Sequence, residues 1–175
     1  IQQQVRPPRS PDEKPRIIRK SQGIFIFKRP GQFVWQTLVP YEQKVIADGQ
    51  NLLLWDKDLN QLSIRPLGQG LSQTPAAILF GKENINDQFD VVPIQDKGGM
   101  SWLELKIKDA GRAETLPYAK IGIGMQQGLP IALELYDNFG MVTLITLGKI
   151  KANQAIAASA FKFSPPAGAD IVRMK

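Results

Sequence analysis

Short apolar runs broken by turn residues dominate the chain. Residues 23–31 (GIFIFKRPG), 33–40 (FVWQTLVP), 44–51 (KVIADGQN), 52–60 (LLLWDKDLN) and 61–68 (QLSIRPLG) each carry one such run. Turn signals recur about every 8–12 residues, the spacing of a meandering antiparallel sheet. The second half repeats the pattern. In 100–108, Leu103, Leu105 and Ile107 alternate with Glu104, Lys106 and Lys108, which predicts a strand with one buried face. Residues 119–125 set Ile121, Ile123 and Met125 against Gly122 and Gly124, and residues 131–136 set Ile131, Leu133 and Leu135 against Ala132, Glu134 and Tyr136. A long strand is expected over 141–151. The whole predicts a mainly β chain of about ten strands.

Segment 72–89 (SQTPAAILFGKENINDQF) interrupts that rhythm. Thr74 suits an N-cap, Pro75 the first helical position and Gly81 the stop, so a helix over 75–80 is predicted. So short a helix is marginal alone. Ala76, Ala77, Ile78, Leu79 and Phe80 make it apolar all round, which suggests contacts on two sides. It reads either as a plug packed into the sheet or as a lid whose second face meets a ligand.

Several strands are apolar on both faces, namely 24–27, 52–55 and 141–147. Such strands need cover on both sides. One short helix and a modest polar segment are the apparent cover, so the second apolar face is expected to line a cavity. The expected arrangement is one domain over 1–175, a curved sheet with a small helical lid over an apolar interior.

Composition narrows the chemistry. The chain has no histidine and no cysteine, which removes histidine acid/base catalysis, Ser-His-Asp and Cys-His triads, disulfides and most zinc and copper sites. Asp56-x-Asp58-x-Asn60 imitates the start of a calcium loop, but Gln61 and Leu67 stand where glycine and glutamate are needed, so a hairpin turn is the better reading. Gly122-x-Gly124-x-x-x-Gly128 is one residue too long for a dinucleotide fingerprint, and its glycines are expected to leave room for something large opposite. Glu83, Asp87 and Asp90 read as solvated surface rather than a carboxylate pair. No catalytic residue, metal or cofactor is expected.

The net charge of +6 is local. Residues 1–30 hold eight cations and two acids, and the other 145 residues hold 14 of each sign. Residues 6–16 (RPPRSPDEKPR) lack apolar periodicity, and 6–20 is expected to be a mobile basic loop. Beside it, Phe25 and Phe27 invite comparison with a single-strand nucleic-acid surface. The intervening Ile24 and Ile26 argue against that, because cations would be expected to border such a platform. No apolar run approaches the roughly 18–20 residues of a membrane span. A start at Ile1, without Met, suggests a processed chain and is compatible with export.

Several motifs occur together and in order: Lys28-Arg29-Pro30-Gly31 with Phe33-x-Trp35, Ala47-Asp48-Gly49, Trp55-Asp56-x-Asp58-Leu59-x-Gln61, Gln73-Thr74-Pro75, and near the end Phe161-Lys162-Phe163-x-Pro165-Pro166-x-Gly168. This set closely resembles the periplasmic LolA family of outer-membrane lipoprotein carriers. The resemblance implies an incomplete, open antiparallel β-barrel with a short helical lid over an apolar cavity that shelters lipoprotein acyl chains. It implies a monomer in the periplasm, loaded by inner-membrane LolCDE and unloaded by the outer-membrane receptor LolB. The family usually has an amphipathic helix before the first strand, whereas Ile1-Gln2-Gln3-Gln4 already resembles that strand. Acyl chains would meet Phe25, Phe27, Phe33, Trp35, Leu53, Ile78, Leu79 and Phe80. The arginine matching Arg29 lies inside the barrel in the family and bonds the lid. Carbonyls near Leu79, Phe80 and Gly81 are its natural acceptors here, a latch that entering acyl chains would break. Alternatives are a lipoprotein receptor or lipid sensor with the same barrel, and a single-strand nucleic-acid module.

Overall fold

The computed structural model describes residues 1–67, 85–108 and 118–174. They form twelve strands: β1 (Gln2–Arg6), β2 (Arg16–Lys28), β3 (Gln32–Val39), β4 (Gln43–Asp48), β5 (Asn51–Asp56), β6 (Gln61–Pro66), β7 (Phe89–Lys97), β8 (Met100–Ile107), β9 (Tyr118–Gln126), β10 (Leu129–Asp137), β11 (Val142–Thr146) and β12 (Asp170–Arg173). Hydrogen bonding orders them β12-β6-β5-β4-β3-β2-β1-β11-β10-β9-β8-β7. Among the described residues, β12 and β7 are the end strands of that order. The predicted long strand at 141–151 is shorter, ending at Thr146.

The residues divide into two compact units, 1–20 with 85–151 and 21–84 with 152–175. Of the predicted lid segment 72–89, only 85–89 lie within the described residues, as a helical turn at Ile85–Gln88 and the start of β7. The 6–20 segment contains two different things. Its first part is a connection in which Glu13 accepts from Arg6 Nη2 at 2.6 Å and from the Arg9 backbone N–H at 2.8 Å. From Arg16 onward it is strand.

In the first unit, alternation decides which face is covered. Leu105, Ile121, Leu135, Ile123, Leu133 and Ile145 share one face by register, and all are buried. On the other face Trp102 lies opposite Gly124, flush against the sheet. A Cβ at Gly122 would come within 3.5 Å of its ring, and one at Gly124 within 3.0 Å. This is the large group that the glycines were expected to admit. Trp102 donates its indole N–H to the Lys97 carbonyl at 3.0 Å, and the Lys97 ammonium sits 4.3 Å from its ring centroid. Lys97 also pairs with Glu134 at 2.5 Å and Lys120 with Glu104 at 3.3 Å.

The second unit has an apolar layer on each face. One layer is Val34, Ile46, Leu53, Trp55 and Leu62, covered by Phe161 with Ile156, Ala160, Phe163 and Ala169 from the C-terminal segment. A 3-10 turn at Ala158–Phe161 drives Phe161 into that layer, where it is 1% exposed. Phe163 packs on Trp55 at 5.3 Å, and β12 then returns parallel to β6. The cover missing from the sequence reading of the doubly apolar strands is therefore, on this face, the chain's own C-terminal segment. The Asp56–Asn60 motif is the hairpin turn expected: Asp56 accepts from the Leu59 N–H at 3.1 Å, and Asn60 has φ 49.

Candidate functional site

The opposite layer of the second unit is built from two rungs that cross the strands. In antiparallel pairing, directly opposed residues share a face. Phe27, Phe33, Ala47 and Leu52 form one rung, and Phe25, Trp35, Val45 and Leu54 the next. The β4–β5 turn holds this register. Asp48 accepts from the Gln50 and Asn51 backbone N–H groups at 2.8 and 2.7 Å, and Gly49 takes φ +102.

Four aromatic rings converge at the β2–β3 end of these rungs. Phe25 lies 5.6 Å from Phe27, 6.5 Å from Phe33 and 5.3 Å from Trp35, centroid to centroid. These are attractive offset and tilted geometries. Exposure is graded across the face. Phe33 is fully buried with Ala47, Leu52 and Leu67, the second rung is partly buried, and Phe27 remains 39% exposed. The face is continuously apolar, covered at Phe33, Ala47 and Leu52 and accessible at its Phe27 margin, a chemistry suited to holding an apolar ligand by burial.

Five of the predicted site residues fall among these described strands, and four converge. Phe25, Phe27, Phe33 and Trp35 meet on the rungs, whereas Leu53 does not. With a side-chain period of two, Leu52 and Leu54 face the rings while Leu53 turns to the other layer, beneath Phe161. Arg29 stands in the exposed turn just past β2. Ile78, Leu79, Phe80, Gly81 and the predicted 75–80 helix lie outside the described residues. Sequence reading missed Val45, Ala47, Leu52 and Leu54. Their signal was the hairpin turn at 48–51, which pairs Ala47 with Leu52 once Phe33 is placed.

At the β2–β3 end of the face the rings border one another and aliphatic side chains, and Lys28 alternates to the other side. Asp87 and Asp90 are exposed, Asp90 lying 3.8 Å from Lys108. Among the described residues, no group of three or more acidic side chains could hold a metal ion, and no helix is long and apolar enough to cross a membrane.

The family model described as outer membrane lipoprotein carrier protein LolA matches residues 9–164. The chain belongs to the LolA family. Relatives named outer-membrane lipoprotein carrier protein include one from Ralstonia nicotianae, 42% identical over 158 residues, spanning 90% of this chain and 72% of the relative. Another, from Bordetella avium, is 40% identical over 152 residues, spanning 87% and 71%. Among solved structures, a LolA superfamily protein from Nitrosomonas europaea matches with a TM-score of 0.45 at 13% identity, covering 93% of this chain and 87% of that one. The two-rung aromatic face falls within the part of the chain that matches the LolA model.

Proposed function

We propose that this protein is a periplasmic chaperone that shelters the acyl chains of lipoproteins leaving the inner membrane and delivers them to a receptor at the outer membrane. The observation that carries this reading is the aromatic face of the second unit, buried at Phe33 and open at Phe27, in a chain of the lipoprotein-carrier family. Burying acyl chain is worth about 0.8 kcal/mol per methylene, so three chains of about fifteen methylenes each are kept from water by roughly 36 kcal/mol at the upper limit. Unassisted crossing is negligible on that scale. The carrier needs no bond-making chemistry, only an apolar shelter and a way to release.

In this reading the protein acts as a monomer, the LolCDE complex loads it and LolB unloads it. Release is provided by a closed, empty state that competes with cargo. Arg29, bonding the carbonyls near Leu79 to Gly81, is the latch of that state. Mass spectrometry of protein isolated from the periplasm should find bound triacylated peptides, and its absence from periplasmic extracts or a lipid-free spectrum would count against the reading. Arg29→Leu is expected to load normally and pass less cargo to the acceptor. Unchanged transfer would remove the latch and leave the carrier standing.

A further inference from the structure

A charged side chain stands at the β6 end of the apolar face. The rung that starts at Phe27 and runs through Phe33, Ala47 and Leu52 ends at Arg65 in β6, the direct partner of Leu52. Arg65 therefore shares the aromatic face by register. Two positions along the same strand edge, Leu67 is buried with Phe33, Ala47 and Leu52. Arg65 is only partly exposed, and its Nε is buried without any hydrogen-bond partner. It also makes no ion pair among the described residues.

A guanidinium carries five N–H donors and no acceptor, and surface arginines satisfy them with water or carboxylates. A buried N–H left without an acceptor is costly, and native proteins rarely keep one without a reason. Here the orphaned donor stands at one end of an apolar track, with the half-exposed Phe27 at the other. Four strand-to-strand steps separate the two, roughly 19 Å at about 4.8 Å per step, which is comparable to an extended acyl chain of about sixteen carbons. A ligand that is apolar along its length and has an acceptor oxygen at one end complements both features.

We propose that Arg65 is the polar anchor of the acyl-chain site. Its Nε–H donates to an oxygen at the head of the chain, while the hydrocarbon takes the place of the packing that buries Phe33, Ala47 and Leu52 in the empty state and reaches toward Phe27. The acceptor is an ester or amide carbonyl of a lipid anchor or the carboxylate of a free fatty acid, which share this chemistry. The proposal rests on the carrier reading and adds to it an orientation of the cargo, head at β6 and tail at β2.

The test is equilibrium binding of three matched probes, palmitate, methyl palmitate and hexadecane, to the delipidated full chain and to Arg65→Met. Wild type is expected to hold the two oxygen-bearing chains at least about tenfold more tightly than hexadecane, the gain typical of a hydrogen bond to a charged group. Arg65→Met should lose that preference, bind hexadecane unchanged and melt no lower than wild type, because it removes an unsatisfied donor. Loss for both headed probes supports ester recognition, and loss for palmitate alone supports a free acid. Equal affinities in wild type and variant, or a loss that includes hexadecane, would overturn the anchor while leaving the carrier intact. If wild type bound none of the probes, the carrier reading would fall with it. Arg65→Lys keeps the charge without the planar Nε–H, and the same loss of preference in smaller measure is expected should Arg65→Met not fold.

Discussion

The two units use the same strand chemistry and finish their faces differently. In the first, the central strands β8 to β10 bury one apolar face, and their other side carries paired charges and Trp102 lying on Gly122 and Gly124. In the second, β3 and β5 are apolar on both sides. One layer is sealed by the C-terminal segment through Phe161, and the other grades from the fully buried Phe33 to the 39% exposed Phe27. The contrast separates burial that serves folding from burial left available to a ligand. An apolar side chain that is covered by its own chain contributes to stability now, whereas a half-exposed aromatic on a continuous apolar face contributes more fully when something arrives.

The largest expected effect tests that separation directly. Phe161→Ala should cost about 3–5 kcal/mol, the usual cost of emptying a packed aromatic site, because its ring is 1% exposed against Val34, Ile46, Leu53, Trp55 and Leu62. Urea denaturation would show a lower midpoint. Phe27→Ala should cost less than about 1 kcal/mol, as for substitutions away from sealed features, yet weaken palmitate binding. Equal losses of stability in the two variants would mean that both layers are ordinary core.

Next in size is the packing of Trp102. A Cβ at Gly124 would sit 3.0 Å from the Met100 Sδ and from the Trp102 ring, and 3.1 Å from the Ala132 Cβ. Met100 can swing aside, but the indole is tied to the Lys97 carbonyl. Gly124→Ala should therefore destabilise the first unit by about 1–3 kcal/mol through overpacking. Gly122→Ala, whose Cβ would meet neighbours only at 3.5 to 3.6 Å, should cost distinctly less. Thermal melting of the pair checks the order, and reversal would show that Trp102 is not the constraint.

These outcomes bear on how much the amino-acid pattern reveals. Period-two alternation marked the buried face of the 100–108 strand, because Glu104, Lys106 and Lys108 make the other side polar there and the register has a single solution. The glycine pair likewise announced a large neighbour. The same logic stopped at 52–55, where Leu52, Leu53, Leu54 and Trp55 offer no polar residue to mark a face. Leu53, expected among the acyl-chain contacts, is put in the other layer by pairing through the 48–51 turn. The cover by Phe161 was illegible because it comes from a segment more than 100 residues beyond β5 with no periodicity of its own. The pattern does not single out Arg65, since nothing local tells a solvated arginine from one turned onto an apolar face.

The smallest effects are those of pH, and they too should differ between the units. Glu42 and Asp56 in the second unit are held below their ordinary values of 4.5 and 3.8, chiefly by hydrogen bonds from Lys57 and Gln43, and Glu13 in the first by the Arg9 backbone N–H. For a lowered carboxyl the contribution to stability is present above the unfolded value and disappears as pH falls through the folded one. Both units should therefore weaken modestly in acid, below about pH 4.5. At high pH the perturbed tyrosines are in the first unit. Burial and then the Asp137 charge raise Tyr118 above 10.0, and burial with a 2.8 Å hydrogen bond donated to Glu134 pushes Tyr136 to about 12. Each favours the protonated phenol in the folded state, so its contribution is complete below pH 10.0 and is lost as pH rises through the folded value. With no histidine in the chain, melting temperature should stay nearly level between these two limbs. Ultraviolet titration should show a late phenolate step near pH 12 that vanishes in Tyr136→Phe. That variant should also flatten the alkaline limb of the first unit while leaving the acid limb unchanged. A late step that persists in Tyr136→Phe would assign the raised phenol to another residue and remove this distinction between the units.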